Sequence, residues 1–182
     1  QPFTILTCDN LPHNGRVVRQ VVLDLAREID PDLADWIAAN GRFPATMVDR
    51  IVPATKPEDV AAVSALTGYL DLAPVMHEPF RQWVIEDDFC AGRPDWDKVG
   101  ATFTDDVHDF EAMKIRVLNG GHQIIANAGE ILSIETIAGC MAHPKIRDLF
   151  DQVARTEILP HLAAVTGMAP ASYVDLIKSR FA

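Results

Sequence analysis

The segment that most restricts the fold is EAMKIRVLNGGHQIIANAGEIL, residues 111–132. Apolar residues recur almost all round it at helical spacing, which predicts one long helix from about Asp109 to Leu132, starting after Thr104-Asp105-Asp106. A helix that is apolar on nearly every side is normally buried. Yet it carries Glu111, Lys114, Asn119 and His122. At about 100° per residue, with Lys114 at zero, Glu111 falls near about 60°, His122 near about 80° and Asn119 near about 140°. All four therefore share one side. Buried polar groups are paired or they cost free energy, so the stripe points to an internal polar pocket. A lysine moved out of water becomes a usable general base near neutral pH. Gly120 and Gly121 weaken the helix locally, as expected where another chain or a ligand packs closely. On periodicity alone a blander reading competes, in which Lys114 and Arg116 snorkel from a surface helix and Asn119 and His122 sit satisfied at the core edge.

The rest of the chain predicts further helices over about 16–28, 33–39, 57–66, 134–141, 144–162 and 171–180. Phe3 to Thr7 predicts a short buried strand ending in the turn-rich cluster Asp9 to Gly15. The stretch 42–53, bracketed by prolines, reads as extended or loop, and 78–92 is open between helix and strand. The expected fold is mainly α, with one N-terminal strand that lacks a sheet partner.

With 182 residues, 48% of them apolar, the chain can bury a sizeable core. A formal net charge of -10 opposes broad attraction to nucleic acid or anionic membrane. The three cysteines, Cys8, Cys90 and Cys140, are odd in number and far apart, which suggests reduced thiols and a cytoplasmic setting. No run reaches membrane-span length and no signal peptide is recognisable. His13, His77, His108, His143 and His161 show no ligand spacing with cysteine or acidic residues, so no metal is expected. The aromatic residues around Trp83 and Trp96 read as core rather than a sugar-stacking platform.

The string Lys114-x4-Asn119-x2-His122 resembles the active-site helix of the polyol-specific long-chain dehydrogenases, the mannitol dehydrogenase family. Thr7-Cys8-Asp9-Asn10-Leu11-Pro12-His13-Asn14-Gly15, the stretch 43–53 around Val48-Asp49-Arg50-Ile51, and the stretch 78–87 are similar to further family segments, in family order. The resemblance implies a metal-independent oxidoreductase that uses NAD or NADP to interconvert a sugar alcohol and a ketose, as a mannitol 2-dehydrogenase does. A fructuronate (hexuronate) reductase of the same family is the alternative, and a non-enzymatic helical binding module is the rival class. By resemblance Lys114 is the general acid/base, Asn10 and Asn119 form the oxyanion hole, and His122 orients the substrate. Two amide donors suit the alkoxide-like oxygen of hydride transfer. Glu111, one turn before Lys114, would relay protons or hold the ammonium, although an ordinary first-turn acid explains it as well. Val48 and Asp49 would lie near the nicotinamide and the sugar hydroxyls, and Asp49 could equally pair with Arg50.

No G-x-G-x-x-G stretch occurs in the chain. The expectation is therefore the multi-helical C-terminal substrate and catalytic domain of a long-chain dehydrogenase, carrying a residual N-terminal β-strand from a missing Rossmann domain. Residues 1–15 would be the end of that cofactor domain and a linker loop, and residues 16–182 the helical domain, cut short where family members continue. The expected partners are a small polyol or keto-sugar and the protein's own missing cofactor domain, on which cofactor binding would depend.

Overall fold

Proline and aspartate set several helix starts. In the computed structural model, which describes residues 1–182, the chain divides into two units, Gln1–Asp105 and Asp106–Ala182. In the first, α1 (Asn14–Ile29) is followed directly by α2 (Pro31–Asn40). Pro31 occupies the first helical turn of α2, where its missing N–H costs nothing. The Asp30 carboxylate accepts from the backbone N–H of Asp32 at 3.0 Å, satisfying a donor the helix leaves open. Leu23 and Ala26 of α1 pack with Ala34 and Ile37 of α2 and with Phe43, and Phe3, Ile5, Val18 and Val22 close this core.

The expected N-terminal strand is corrected. Residues 3–7 make a single parallel bridge, Thr4 to Arg42, through Ile5 N–H to Arg42 O at 3.0 Å and Arg42 N–H to Phe3 O at 3.1 Å. The sheet lies further along the chain, as β1 (Thr46–Asp49), β2 (Gln82–Glu86) and β3 (Ala101–Thr104) in the order β1-β2-β3. β1 and β2 are antiparallel, with Val48 opposite Trp83, and β2 and β3 are parallel, with Ile85 opposite Phe103. A mainly helical fold with one orphan strand is thus overturned for this unit. Its strands have four or five residues, and in β2 the adjacent Val84 and Ile85 are both fully buried, so no alternation announces them.

Between β1 and β2, α3 (Pro57–Thr67) starts on Pro57, with the Asp59 carboxylate accepting from Lys56 N–H at 2.9 Å, and ends at Gly68 with φ 75°. The left-handed conformation there is one that glycine adopts without steric cost. A turn of 3₁₀ helix (Trp96–Val99) precedes β3.

In the second unit, α4 (His108–Met113), a π-helical segment (Lys114–Asn119) and α5 (Gly120–Ile131) run as one continuous rod. α6 (Ile137–Ala142) leads to α7 (Pro144–Val153), which continues through a second π segment (Ala154–Ile158), and α8 (Pro170–Phe181) closes the unit. Val117, Ile125, Phe150, Ala154, Val174 and Ile177 are completely buried and form its core. No helix in either unit is long and apolar enough to cross a membrane.

A charge cluster ties α7 to α8. Asp151 accepts from Lys178 Nζ at 2.6 Å and from Arg155 Nε at 3.1 Å, and Arg155 also pairs with Asp175. The Lys178 ammonium, and after it Arg155, hold the Asp151 carboxyl below its usual range against the opposing effect of burial. A depressed folded-state pKa gives stability that is present above the unfolded carboxylate's pKa and is lost as pH falls through the folded value. Asp151→Asn should therefore lower stability at neutral pH by about 1 kcal/mol, a modest figure because solvent screens the partly exposed pair. Urea unfolding at neutral and strongly acid pH checks this, since the difference from wild type should vanish in acid.

Candidate active site

The π segment sits where the sequence places its chemistry. Gly120 N–H bonds to the carbonyl of Ile115, five residues back, so the ladder is wider than in an α-helix. Such segments are rare and concentrate at functional sites. The expected uninterrupted α-helix over 109–132 is corrected at this point. Because the wider ladder turns less per residue, Asn119 and His122 swing back toward the Lys114 side from their α-helical angles.

Lys114 is buried at 8% exposure, and Glu111, one turn earlier, at 5%. Asn119 and His122 are half-buried. Arg116 points elsewhere: it is exposed and donates to the His161 carbonyl at 2.8 Å. The two cations of this helix thus have different environments, and Lys114 is not a snorkelling surface residue. His108, exposed at the start of α4, brings Nδ1 to 3.8 Å from a Glu111 carboxylate oxygen. Just before the helix, the Asp106 carboxylate accepts from His108 N–H at 2.8 Å.

His122 is a perturbed titrating group on this helix. Burial pushes its pKa down, the nearby Leu118 carbonyl partly opposes this, and the Arg180 guanidinium lowers it further. Its imidazole stands edge-on to the Phe181 ring, with centroids 4.3 Å apart and planes at 60°. Gly121 beside it is needed for space, since a Cβ there would lie 2.7 Å from Phe150 Cε2. Gly120 has no comparable constraint, its Cβ position being 3.7 Å from the Ile115 carbonyl oxygen.

In the first unit, Asn10 lies exposed in the loop before α1. The loop is fixed by a residue the sequence did not single out, Asn14, which is 2% exposed. Its amide donates to the Asp9 and Thr46 carbonyls, both at 2.9 Å, and its side-chain oxygen accepts from Thr46 N–H at 3.0 Å. This one side chain joins the Asn10 loop, the start of α1 and β1. Nothing in the pattern His13-Asn14-Gly15 distinguishes it from a solvated turn asparagine.

β1 carries the next two candidates. Val48 is 40% exposed, whereas Asp49 is fully buried. Both border a cavity of about 500 Å³, together with Arg50, Trp83, Trp96 and Val99. The two tryptophans stack with centroids 5.0 Å apart and line this cavity, so they are not simply core. Arg50 Nε donates to the Phe80 carbonyl at 3.1 Å. Trp83 Nε1 is buried with no hydrogen-bond partner in the chain. All three cysteines are free thiols.

The sequence and the fold both have clear relatives. The family model for the mannitol dehydrogenase Rossmann domain matches residues 1–98, and that for the mannitol dehydrogenase C-terminal domain matches residues 106–182. A mannitol 2-dehydrogenase of Cereibacter sphaeroides is 50% identical over 99% of this chain and 38% of its own length. The D-mannonate oxidoreductase of Escherichia coli K12 is 46% identical over 98% of this chain and 37% of its own. Among solved structures, the Pseudomonas fluorescens mannitol 2-dehydrogenase in ternary complex with NAD and D-mannitol superposes with TM-score 0.87 at 40% identity, over 99% of this chain and 37% of that one. A substrate-free D-sorbitol dehydrogenase gives TM-score 0.90 at 38% identity, covering 98% and 37%.

The chain therefore spans a little over a third of the length of these relatives. The Rossmann match over residues 1–98 overturns the reading of a C-terminal fragment with only a residual strand from a missing Rossmann domain. That reading equated one glycine-rich turn with the whole domain, although the turn occupies a single strand–helix junction of such a fold. Matched over more than half its length by the family's Rossmann-domain model and over most of the remainder by its C-terminal model, the chain belongs to the mannitol dehydrogenase family.

Proposed function

We propose that the protein is an NAD-dependent oxidoreductase that interconverts a sugar alcohol and its ketose, with Lys114 as general acid/base. The observation that carries this reading is Lys114 itself, an 8%-exposed lysine at the first position of a π segment in a helix whose other buried residues, Glu111 apart, are apolar or glycine. A lysine amine held away from water is a usable proton acceptor near neutral pH. In the oxidative direction it takes the hydroxyl proton as the carbinol C–H leaves as hydride, and in reduction it returns that proton to the alkoxide oxygen. Asn119 acts as an amide donor to that oxygen, stabilising the negative charge it gains. Glu111 passes the proton onward from Lys114, and His122 orients a neighbouring hydroxyl.

The cofactor is the hydride carrier in this reading. The cavity beside β1 fits one end of a dinucleotide: it has apolar walls from Val48, Trp83, Trp96 and Val99, and its volume of about 500 Å³ suits a nicotinamide and its sugar. Val48 would lie against the nicotinamide and Asp49 near the sugar hydroxyls. NAD rather than NADP is favoured by the ternary complex of the Pseudomonas fluorescens relative. No step here assigns a role to a metal.

A second substrate class has specific support in the 46% identity to D-mannonate oxidoreductase, which favours a hexonate in place of the polyol. Steady-state assay of the full-length gene product with NAD(H) and NADP(H) separates the readings. Mannitol with fructose should give the highest kcat/KM among mannitol, arabinitol, fructuronate and mannonate, exceeding the charged substrates by about tenfold or more, a difference of about 1.4 kcal/mol. Reversal of that order would transfer the assignment to the hexonate class. Turnover with none of them would favour a binding module.

A further inference from the structure

His122 is gripped by a group that takes no part in proton transfer. The Phe181 ring is 3% exposed and meets the imidazole edge-on at 4.3 Å. Phe181 is braced in turn by Phe150, completely buried, with ring centroids 5.9 Å apart. Gly121 opens the space this packing needs, because a Cβ there would lie 2.7 Å from Phe150 and 3.4 Å from Phe181. Behind Phe181, helix α8 is anchored by Tyr173, Val174 and Ile177, each at most 2% exposed. An imidazole stacked at its edge against a ring that cannot move has few orientations left to it.

We propose that Phe181 is a positioning residue for His122, its buried ring holding the imidazole in the one orientation in which it accepts a hydrogen bond from a substrate hydroxyl. This rests on the reading of His122 as a substrate contact. A neutral imidazole has one N–H donor and one bare acceptor nitrogen. The Leu118 carbonyl beside the ring can engage only the N–H, and burial together with the Arg180 guanidinium disfavours the cation. What remains for substrate is the acceptor. It pairs with an O–H, whereas a carboxylate, itself acceptor-only, is repelled, so the held ring selects for a hydroxyl at that position.

The test compares Phe181→Leu, which removes the ring edge, with Phe181→Tyr, which keeps it, in full-length protein carrying ¹⁵N-labelled histidine. Wild type and Phe181→Tyr should show the two His122 nitrogens at well-separated shifts of a single tautomer, whereas Phe181→Leu should show them averaged. Its KM for the polyol should rise about tenfold, a loss of about one hydrogen bond, with kcat and the KM for NAD within about threefold, a change under 1 kcal/mol. Wild-type nitrogen shifts in Phe181→Leu would overturn the proposal. Averaged shifts with an unchanged polyol KM would leave the grip of Phe181 standing and refute His122 as a substrate contact. Should Phe181→Leu not fold, Phe181→Met fills similar volume with a flexible chain and serves the same comparison.

Discussion

Lys114→Ala in the full-length gene product should lower kcat by about 10²–10⁴-fold, the usual contribution of a positioned general acid or base. If the amine acts only in the transition state, kcat and kcat/KM fall together and the KM for the polyol changes little. Lys114→Arg sharpens the result. Arginine keeps the positive charge but stays protonated at any working pH, so it cannot serve as the base. It should be as inactive as alanine if Lys114 moves a proton, and close to wild type if Lys114 serves only as a fixed cation. Thermal unfolding of each variant separates lost chemistry from lost fold. Turnover within about threefold of wild type in Lys114→Ala, a barrier change under 1 kcal/mol, would remove Lys114 from the mechanism.

The largest effect on stability is expected at Gly15. A Cβ built there would lie 2.3 Å from the Phe43 carbonyl oxygen, 2.8 Å from Ala45 N and 2.9 Å from the Pro44 carbonyl carbon. Every one of these is a backbone atom, so no side chain can rotate away, and the segment entering β1 must move as a whole. Gly15→Ala should cost about 3 kcal/mol, the upper end for overpacking a closed site. The strain falls next to Asn14, so the Asn10 loop should loosen with it. Chemical denaturation measures the first effect and amide hydrogen exchange over residues 9–14 the second. A denaturation midpoint equal to wild type would show that α1 and the residues 43–45 are less tightly apposed than described.

The helices were legible in the sequence because their ends carry explicit signals. Lys56-Pro57 and His143-Pro144 mark starts that the structure reproduces, and Asp30-Pro31 starts α2 two residues before the expected 33. The sheet was not, since it joins residues 46–49 to 82–86 across an intervening helix, through strands too short to show a period. Phe3 to Thr7 misled for the opposite reason. Its apolar, β-branched residues satisfy strand propensity, but they are used in the α1–α2 core and make only one bridge. On the site helix, spacing put Glu111, Lys114, Asn119 and His122 on one side and the family resemblance supplied candidate roles; the structure buries the first two and half-buries the others. The steep difference in burial between Lys114 and Arg116 could not be read from spacing, because it depends on what packs against each face. Nor could Asn14, whose importance lies in a strand 32 residues away.

The π segment has a consequence for chain length. A helix with a wide turn stores one residue more than an α-helix needs to cover the same rotation. Deleting a single residue between Lys114 and Asn119 would allow the ladder to close as plain α, an alignment with no obvious local penalty. Downstream, α5 would keep close to its present phase, because the residue removed is the extra one that the wide turn stores. Gly121 would still face Phe150, and His122 would still meet Phe181, each reached through one residue fewer. A single deletion there would therefore convert the segment to plain α with its faces kept, whereas straightening it to α at its present length would turn α5 by up to about 100° relative to Lys114.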